Sequence, residues 1–323
     1  MRLLVVSDIH LAGDAERARF GWERRVIRNP LLREFAGLYR RWFWLADPTA
    51  HNHQLDAFLS AAGNTAPDLV IANGDYSCDS AFIGLADDAA FASARECLGK
   101  LRAAFGTRLL ATLGDHELGK MSLFGGVGGP RWASWERCVH DLGFQPLWRH
   151  DTASHVLVGV TSSVIALPSF QRELIDSERD AWSALRTSYV DQLRVLFRDL
   201  PRDRKFILFC HDPTALGYLA EIEEVQARLP QLECTIIGHL HTRLILRTSR
   251  FLAGMPTLGF LGQTVKRLSG ALSKARRWKP FRVVLCPSPA GIQLLKDGGY
   301  LQLDLGRTPA DSCAVRAHRL PWR

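Results

Sequence analysis

The chain has 323 residues, 47% of them hydrophobic and 23% charged. That is globular composition for one large or two ordinary domains, and it excludes a disordered tail, a collagen and a coiled coil. Lys and Arg number 41 against 33 Asp and Glu, a formal charge of +8, and 34 of the 41 cations are Arg; guanidinium groups bind phosphate bidentately, so the balance suits nucleic acid, an anionic membrane or a phosphorylated small substrate.

No run of about 18 apolar residues is present to span a membrane. The first apolar stretch leads straight into Ser7-Asp8, unlike a secretory signal. Seven scattered Cys without a CxxC spacing fit a reduced, cytosolic compartment better than a disulfide framework.

Short runs of Val, Ile, Leu and Phe, each closed by polar residues, read as strands buried on both faces. The first, Leu3 to Val6, runs into Ser7-Asp8-Ile9-His10. More chain follows than one strand–helix connection needs, and the extra stretch covers roughly residues 14–50. Within it Asn29 and Pro30 make an N-cap and first helical position. Leu31, Phe35, Leu38, Trp42 and Leu45 follow at steps of three and four, flanked by Arg33, Arg40 and Arg41. That stripe fits a helix packed on the core with its arginines in solvent, and equally a helix lying on a lipid surface with aromatics at headgroup level.

Further along, Gln54 to Ala62 is helical, and Leu69 to Ala72 is a strand running into Asn73-Gly74-Asp75. Phe91 to Ala104 is helical, and the strand Leu109 to Leu113 runs into Gly114-Asp115-His116-Glu117. His155 to Val160 is another strand, and Ser188 to Leu200 a helix stopped by Pro201. The strand Phe206 to Cys210 runs into His211-Asp212, and Thr235 to Ile237 into Gly238-His239-Leu240-His241. A basic segment over roughly 263–280 carries a stripe of Val265, Leu268, Leu272, Ala275 and Trp278 among Lys266, Arg267, Lys274, Arg276, Arg277 and Lys279. Arg282 to Leu285 is a last strand. Alternating strands and helices without repeat or linker predict one α/β domain over residues 1–323, with residues 14–50 and 263–280 as cap or membrane-facing elements.

The strand ends carry the chemistry. Ligands of α/β sheets bind at the carboxyl ends of strands. Asp8, His10, Asp75, Asp115, His116, His211, His239 and His241 all stand at such ends. Carboxylates so gathered repel one another unless cations sit among them, and mixed oxygen and imidazole donors suit Mn, Fe or Zn. The i, i+2 spacing of Asp8 and His10, and of His239 and His241, puts each pair on one face if the backbone there is extended.

In order and content these motifs resemble the calcineurin-like metallophosphoesterases: DxH, GD, GNH with an acid, a lone His, then GHxH. The resemblance implies two mixed β-sheets packed as a sandwich flanked by helices. It also implies two divalent metal ions, Mn first, with Fe, Zn, Mg or Ca as alternatives. Asp8, His10, Asp75 and His241 would hold one ion. Asp75, Asp115, His211 and His239 would hold the other, with Asp75 bridging. Asp115 and His116 are the implied catalytic residues, His116 acting beside the leaving group. A metal-bridged hydroxide would attack phosphorus and cleave a phosphoester or pyrophosphate bond.

One position departs from the pattern: Asp115 stands where the family carries Asn. An oxygen donor is kept, while an amide donor becomes a second negative charge, so Asp115→Asn is expected to retain metal without lowering turnover. Glu117 and Asp212 are candidates to orient the imidazoles. His51, His53, His140, His150, His155 and His318 match no motif and read as ordinary.

Two basic amphipathic segments beside a phosphoesterase site fit a phosphorylated substrate that is lipid-linked and drawn from an anionic membrane. Within the family this resembles the UDP-2,3-diacylglucosamine pyrophosphatases of lipid A synthesis, which implies a cytoplasmic protein peripheral on the inner membrane. The alternatives are a soluble substrate, such as a cyclic nucleotide or phosphomonoester, and a nuclease. Nucleic acid is disfavoured because the aromatic and basic residues fall on amphipathic helical patterns, not on a stacking platform.

Overall fold

The computed structural model describes residues 1–323 apart from 20, 123–125, 258–262, 309 and 323, and describes 263–268 as helix without their side chains. Among the described residues ten strands form two mixed five-stranded sheets. The first is ordered β10-β9-β1-β2-β3, where β1 is Arg2–Val6, β2 Leu69–Asn73, β3 Leu109–Thr112, β9 Gly299–Asp304 and β10 Ala314–Arg319. The second is ordered β4-β5-β6-β7-β8, where β4 is Leu147–Asp151, β5 His155–Val160, β6 Lys205–Cys210, β7 Leu232–Ile237 and β8 Val283–Leu285. β1, β2 and β3 run parallel, as do β5 to β8, while β4, β9 and β10 pair antiparallel with their neighbours.

Alternation along the central strands builds two cores. Leu3, Val5, Leu69, Ile71, Leu157, Ile207, Phe209 and Ile236 pack between the sheets. Their neighbours Leu4, Val6, Val70, Val158, Leu208 and Cys210 face the flanking helices. Both faces are therefore apolar, which is why these strands read as unbroken hydrophobic runs. Trp148 of β4 fills the space above Gly159 of β5, where a Cβ would stand 1.9 Å from the indole. Its Nε1 donates across to the carbonyl of Ala111 in the other sheet at 3.1 Å.

The longer helices among the described residues are α1 (Pro30–Trp42), α2 (His53–Thr65), α3 (Asp88–Phe105), α4 (Arg179–Arg198), α5 (Arg243–Phe251) and α6 (Gln263–Lys274). The structure begins the helix predicted over 188–200 at Arg179, because Trp182 extends the buried face of Tyr189, Leu193 and Phe197 toward the N-terminus. Among the described residues no helix is long and apolar enough to cross a membrane, and all seven cysteines are free.

Asn29 caps α1 as predicted, its Oδ1 accepting from the amides of Leu31 at 3.0 Å and Leu32 at 3.2 Å. The stripe, however, faces out: Leu31 is 82% exposed, Phe35 60%, Leu38 58% and Trp42 68%, and only Leu45, beyond the helix, is buried. In the second basic segment Leu272, Ala275 and Trp278 are buried, so that part of the stripe faces the core; the side chains of Val265, Lys266, Arg267 and Leu268 lie outside the described residues.

Candidate metal centre

Five strands from both sheets bring their carboxyl ends to one cleft. β1 leads to Asp8 and His10, β2 to Asp75, β3 to Asp115 and His116, β6 to His211, and β7 to His239 and His241. The backbone there is not extended. Asp8, His10, Asp75, His239 and His241 have φ of 56°, 49°, 60°, 62° and 57°, the left-handed region that costs a residue with a Cβ roughly 1–2 kcal/mol. This corrects the reading of each i, i+2 pair as one face of an extended chain: turns at both members, and not strand alternation, bring the side chains together. Strain of this kind collects at functional residues when the surroundings enforce it.

The enforcement is visible. The Asp8, His10 and Leu11 amides donate to the carbonyls of Gly74, Asp75 and Tyr76 at 3.0, 3.0 and 2.9 Å, zipping the β1 end to the β2 end. Glu117, fully buried, collects three backbone amides: Asp75 at 2.9 Å and Gly114 at 2.8 Å on Oε2, and Tyr76 at 2.8 Å on Oε1. Its contacts are thus with loop backbone and not with imidazoles, and Asp212 likewise accepts from the amide of Thr214 at 2.8 Å. The two sheets meet where the His239 amide donates to Asp8 Oδ1 at 2.8 Å. Only glycine fits at 238, since a Cβ there would stand 2.0 Å from Ser7 Oγ and 2.5 Å from Asp8 Oδ2.

Backbone carbonyls aim the imidazoles. Nδ1 of His10, His116 and His211 lies 3.2, 3.1 and 2.6 Å from the carbonyls of Ser77, Cys78 and Asn73. An Nδ1–H donated there leaves the Nε2 lone pair pointing into the cleft, the tautomer a metal ligand needs.

Ligand atoms of Asp75, Asp115, His211 and His239 lie within 4.8 Å of one another, as do those of Asp8, His10 and His241 and those of His10, Asp75 and His116. Asp75 Oδ2 stands between the groups, 3.1 Å from His211 Nε2 and 3.8 Å from Nε2 of His10 and of His116. His10 Nε2 and His241 Nε2 face each other at 3.2 Å, and Asp8 Oδ2 is buried without a hydrogen-bond partner among the described residues. Converging lone pairs and an orphaned carboxylate oxygen suit a cation, and the mixed donor set fits two of them.

The charges are strongly coupled. Burial pushes the Asp8 carboxyl up, and Asp75 adds to this. Burial acts the same way on Asp115, but His239 and Lys120 outweigh it and hold that carboxyl well below its ordinary value. His211, which burial would lower, is raised well above its ordinary value by Asp75 and Asp8. Burial takes His10 down to about 4, and burial together with His10 takes His241 well below its usual range.

Each of the eight strand-end residues is therefore at the cleft. His140, His150, His155 and His318 are not, while His51 borders the cavity above it. Two neighbours were missed. Lys120 places Nζ 2.8 Å from Asp115 Oδ2; its signal was a cation five residues after an acid that breaks the motif. The Trp44 indole packs on the His241 ring, a contact between distant segments that spacing does not encode.

The cleft opens into a cavity of about 390 Å³. Its far wall is built by residues 14–50, largely from apolar Trp22, Val26, Ile27, Ala36, Tyr39 and Leu45, with Glu23, Arg24 and Arg40 among them. α1 thus turns Ala36 and Tyr39 to the cavity and its exposed stripe outward. Arg40 pairs with Glu23, and Arg24 with Glu34, along this wall.

Residues 1–243 match the family described as calcineurin-like phosphoesterase. Among solved structures the chain is similar to a dimetal phosphatase from Danio rerio, at 10% identity and a TM-score of 0.51, covering 98% of this chain and 95% of that one. It is also similar to the phosphopantetheinyl hydrolase of Mycobacterium tuberculosis, at 15% identity and a TM-score of 0.35 over 74% of this chain and 82% of that one. No curated protein sequence matches.

Proposed function

Because the chain belongs to the calcineurin-like phosphoesterase family, and so is a metal-dependent hydrolase of phosphorylated substrates, we propose that it cleaves a phosphoester or pyrophosphate bond in a lipid-linked substrate at an anionic membrane surface. A lipid-linked sugar nucleotide such as UDP-2,3-diacylglucosamine exemplifies the class. In this reading the protein sits peripherally on the cytoplasmic side of an inner membrane.

Asp8, His10, Asp75 and His241 would hold one divalent ion. Asp75, Asp115, His211 and His239 would hold the second, Asp75 serving both. Mn is the first choice for these donors. When bound, the pair supplies the Lewis acidity that polarises a phosphoryl group and makes a nucleophile of water near neutral pH. His116 borders the cavity, with Nδ1 at the Cys78 carbonyl. Burial holds its imidazole below the ordinary value, so with Nδ1–H kept on that carbonyl Nε2 takes up a proton only beside the anionic phosphoryl group, and can then release it to the departing oxygen. The largely apolar cavity wall excludes water and accommodates a hydrocarbon chain beside the phosphate.

The observation that carries the membrane reading is the outward stripe of α1. Four large apolar side chains more than half exposed on one basic helix, whose other side lines the cavity, form a patch of the kind that marks a contact surface. Flotation with phosphatidylglycerol vesicles tests it. The wild type should float and phosphatidylcholine vesicles should recruit less. Replacing Leu31, Phe35, Leu38 and Trp42 by Ser should abolish flotation while turnover of a soluble aryl phosphodiester persists. Failure of the wild type to float, with turnover of cyclic nucleotides or phosphomonoesters, would turn the reading to a soluble substrate.

A further inference from the structure

Asp115 divides its two oxygens between two surroundings. Oδ1 faces the cluster, 3.1 Å from His211 Nε2 and 2.9 Å from His239 Nδ1. Oδ2 faces the cavity side, where Lys120 Nζ stands at 2.8 Å. Gly119 makes the approach possible: its φ is +107°, and a Cβ there would stand 2.4 Å from the Gly129 carbonyl, so the chain turns back at once to bring Lys120 over Asp115. The Lys120 side chain is 32% exposed and borders the same cavity as His116 and His239.

An amide at position 115 would give an oxygen to one side and N–H donors to the other. A carboxylate gives acceptors to both, and its outer oxygen repels an anionic substrate. The ammonium group at 2.8 Å offsets that charge and carries three N–H donors where a carboxylate carries none.

We propose that Lys120 is a substrate-binding residue: paired with Asp115, it donates to a phosphoryl oxygen of the substrate, and the Asp115–Lys120 pair does with two residues what an amide does with one. The inference rests on the metal-site reading and not on the lipid reading. It concerns the phosphoryl group that every substrate of this hydrolase carries, so soluble probes suffice.

The test uses the full chain loaded with Mn, with inorganic phosphate and an aryl phosphate as probes. Calorimetry gives phosphate affinity, elemental analysis gives bound Mn, and steady-state kinetics gives kcat and KM. Lys120→Met should weaken phosphate binding and raise KM by about tenfold to a hundredfold, the range for losing a hydrogen bond to a charged group, with two Mn retained and kcat less affected. Lys120→Arg, which keeps a charged donor, should stay within a few-fold of wild type. Adding Asp115→Asn to Lys120→Met should recover most of the loss, because the uncompensated charge is gone.

A Lys120→Met protein holding two Mn with unchanged phosphate affinity overturns the proposal. So does a loss of phosphate affinity that only follows a loss of Mn, which would mean Lys120 merely holds Asp115 in place, and so does a double variant no better than Lys120→Met. If Lys120→Met does not fold, Lys120→Gln should show a smaller loss in the same direction, and unchanged phosphate affinity there is equally fatal. A wild type that takes up no Mn sinks the metal-site reading instead, a result that Mn content reports separately.

Discussion

The indole of Trp44 lies 4.8 Å, centroid to centroid, from the imidazole of His241, tilted by 50°. Trp44 follows α1 directly and stacks with Phe43 and Tyr39. A ring from the insertion thus bears on a proposed metal ligand from the opposite sheet. Trp44→Ala should lower kcat/KM by about tenfold, in line with losing a group that orients a ligand. It should also speed loss of one metal on dialysis, whereas Trp44→Phe should keep most of both. Kinetics and metal content after dialysis check this.

Glu117 accepts from three buried amides in the loops after β2 and β3. Glu117→Ala leaves all three without a partner, at about 1–3 kcal/mol for each unpaired buried group. The unfolding midpoint in urea should fall sharply and metal uptake should fail with it. Glu117→Gln keeps one acceptor oxygen and should fall between alanine and wild type.

Gly159 lies under Trp148, the residue that also reaches across to Ala111. Gly159→Ala forces the indole to move and should cost about 1–3 kcal/mol by overpacking. Activity should fall as well, since the indole helps set the spacing of two sheets that both contribute to the cleft. Denaturant titration and turnover of an aryl phosphate measure the two effects.

His211 is raised above its ordinary value of 6.5, because Asp75 and Asp8 outweigh the burial that would lower it. Its proton must leave before Nε2 can bind a cation. His239, raised by Asp115 against burial, must lose a proton too, so loading the chelated protein at pH 7 should release more than one proton, and metal affinity should climb with pH. Calorimetry in two buffers of different ionisation enthalpy gives the proton count. For the chelated protein, the raised value contributes stability that is complete below pH 6.5 and is lost as pH rises through the folded-state value. Its melting temperature should fall above neutrality, and that of the metal-loaded protein should fall less.

Strands ending in Asp or His were legible because both faces of β1, β2, β6 and β7 are buried and those of the edge strand β3 half-buried, which writes an unbroken apolar run followed by an abrupt polar end. β4, β9 and β10 were not: Arg149, His150 and Asp151 on β4, and Arg316 and His318 on β10, give these two edge strands mixed faces that resemble loop, while β9 lies inside its sheet and Gln302 and Asp304 interrupt its apolar run. The eight strand-end side chains were legible as a set, while the means of their convergence was not, since left-handed φ at Asp8 or His241 is imposed by contacts with other segments. The α1 stripe was legible as a helix face, but periodicity is the same whether a face meets core or solvent, and only the exposure of Leu31 and Trp42 separates the two.

The family match stops at residue 243, and every side chain proposed to hold a cation lies before that point. Yet β9, from Gly299 to Asp304, is the partner of β1 on one side, and β8 flanks β7. A fragment cut after 243 would keep the whole chemical signature and leave β1, the strand that launches Asp8 and His10, as a raw edge open to pairing with other chains. In this protein the shortest recognisable piece is shorter than the shortest piece able to stand alone.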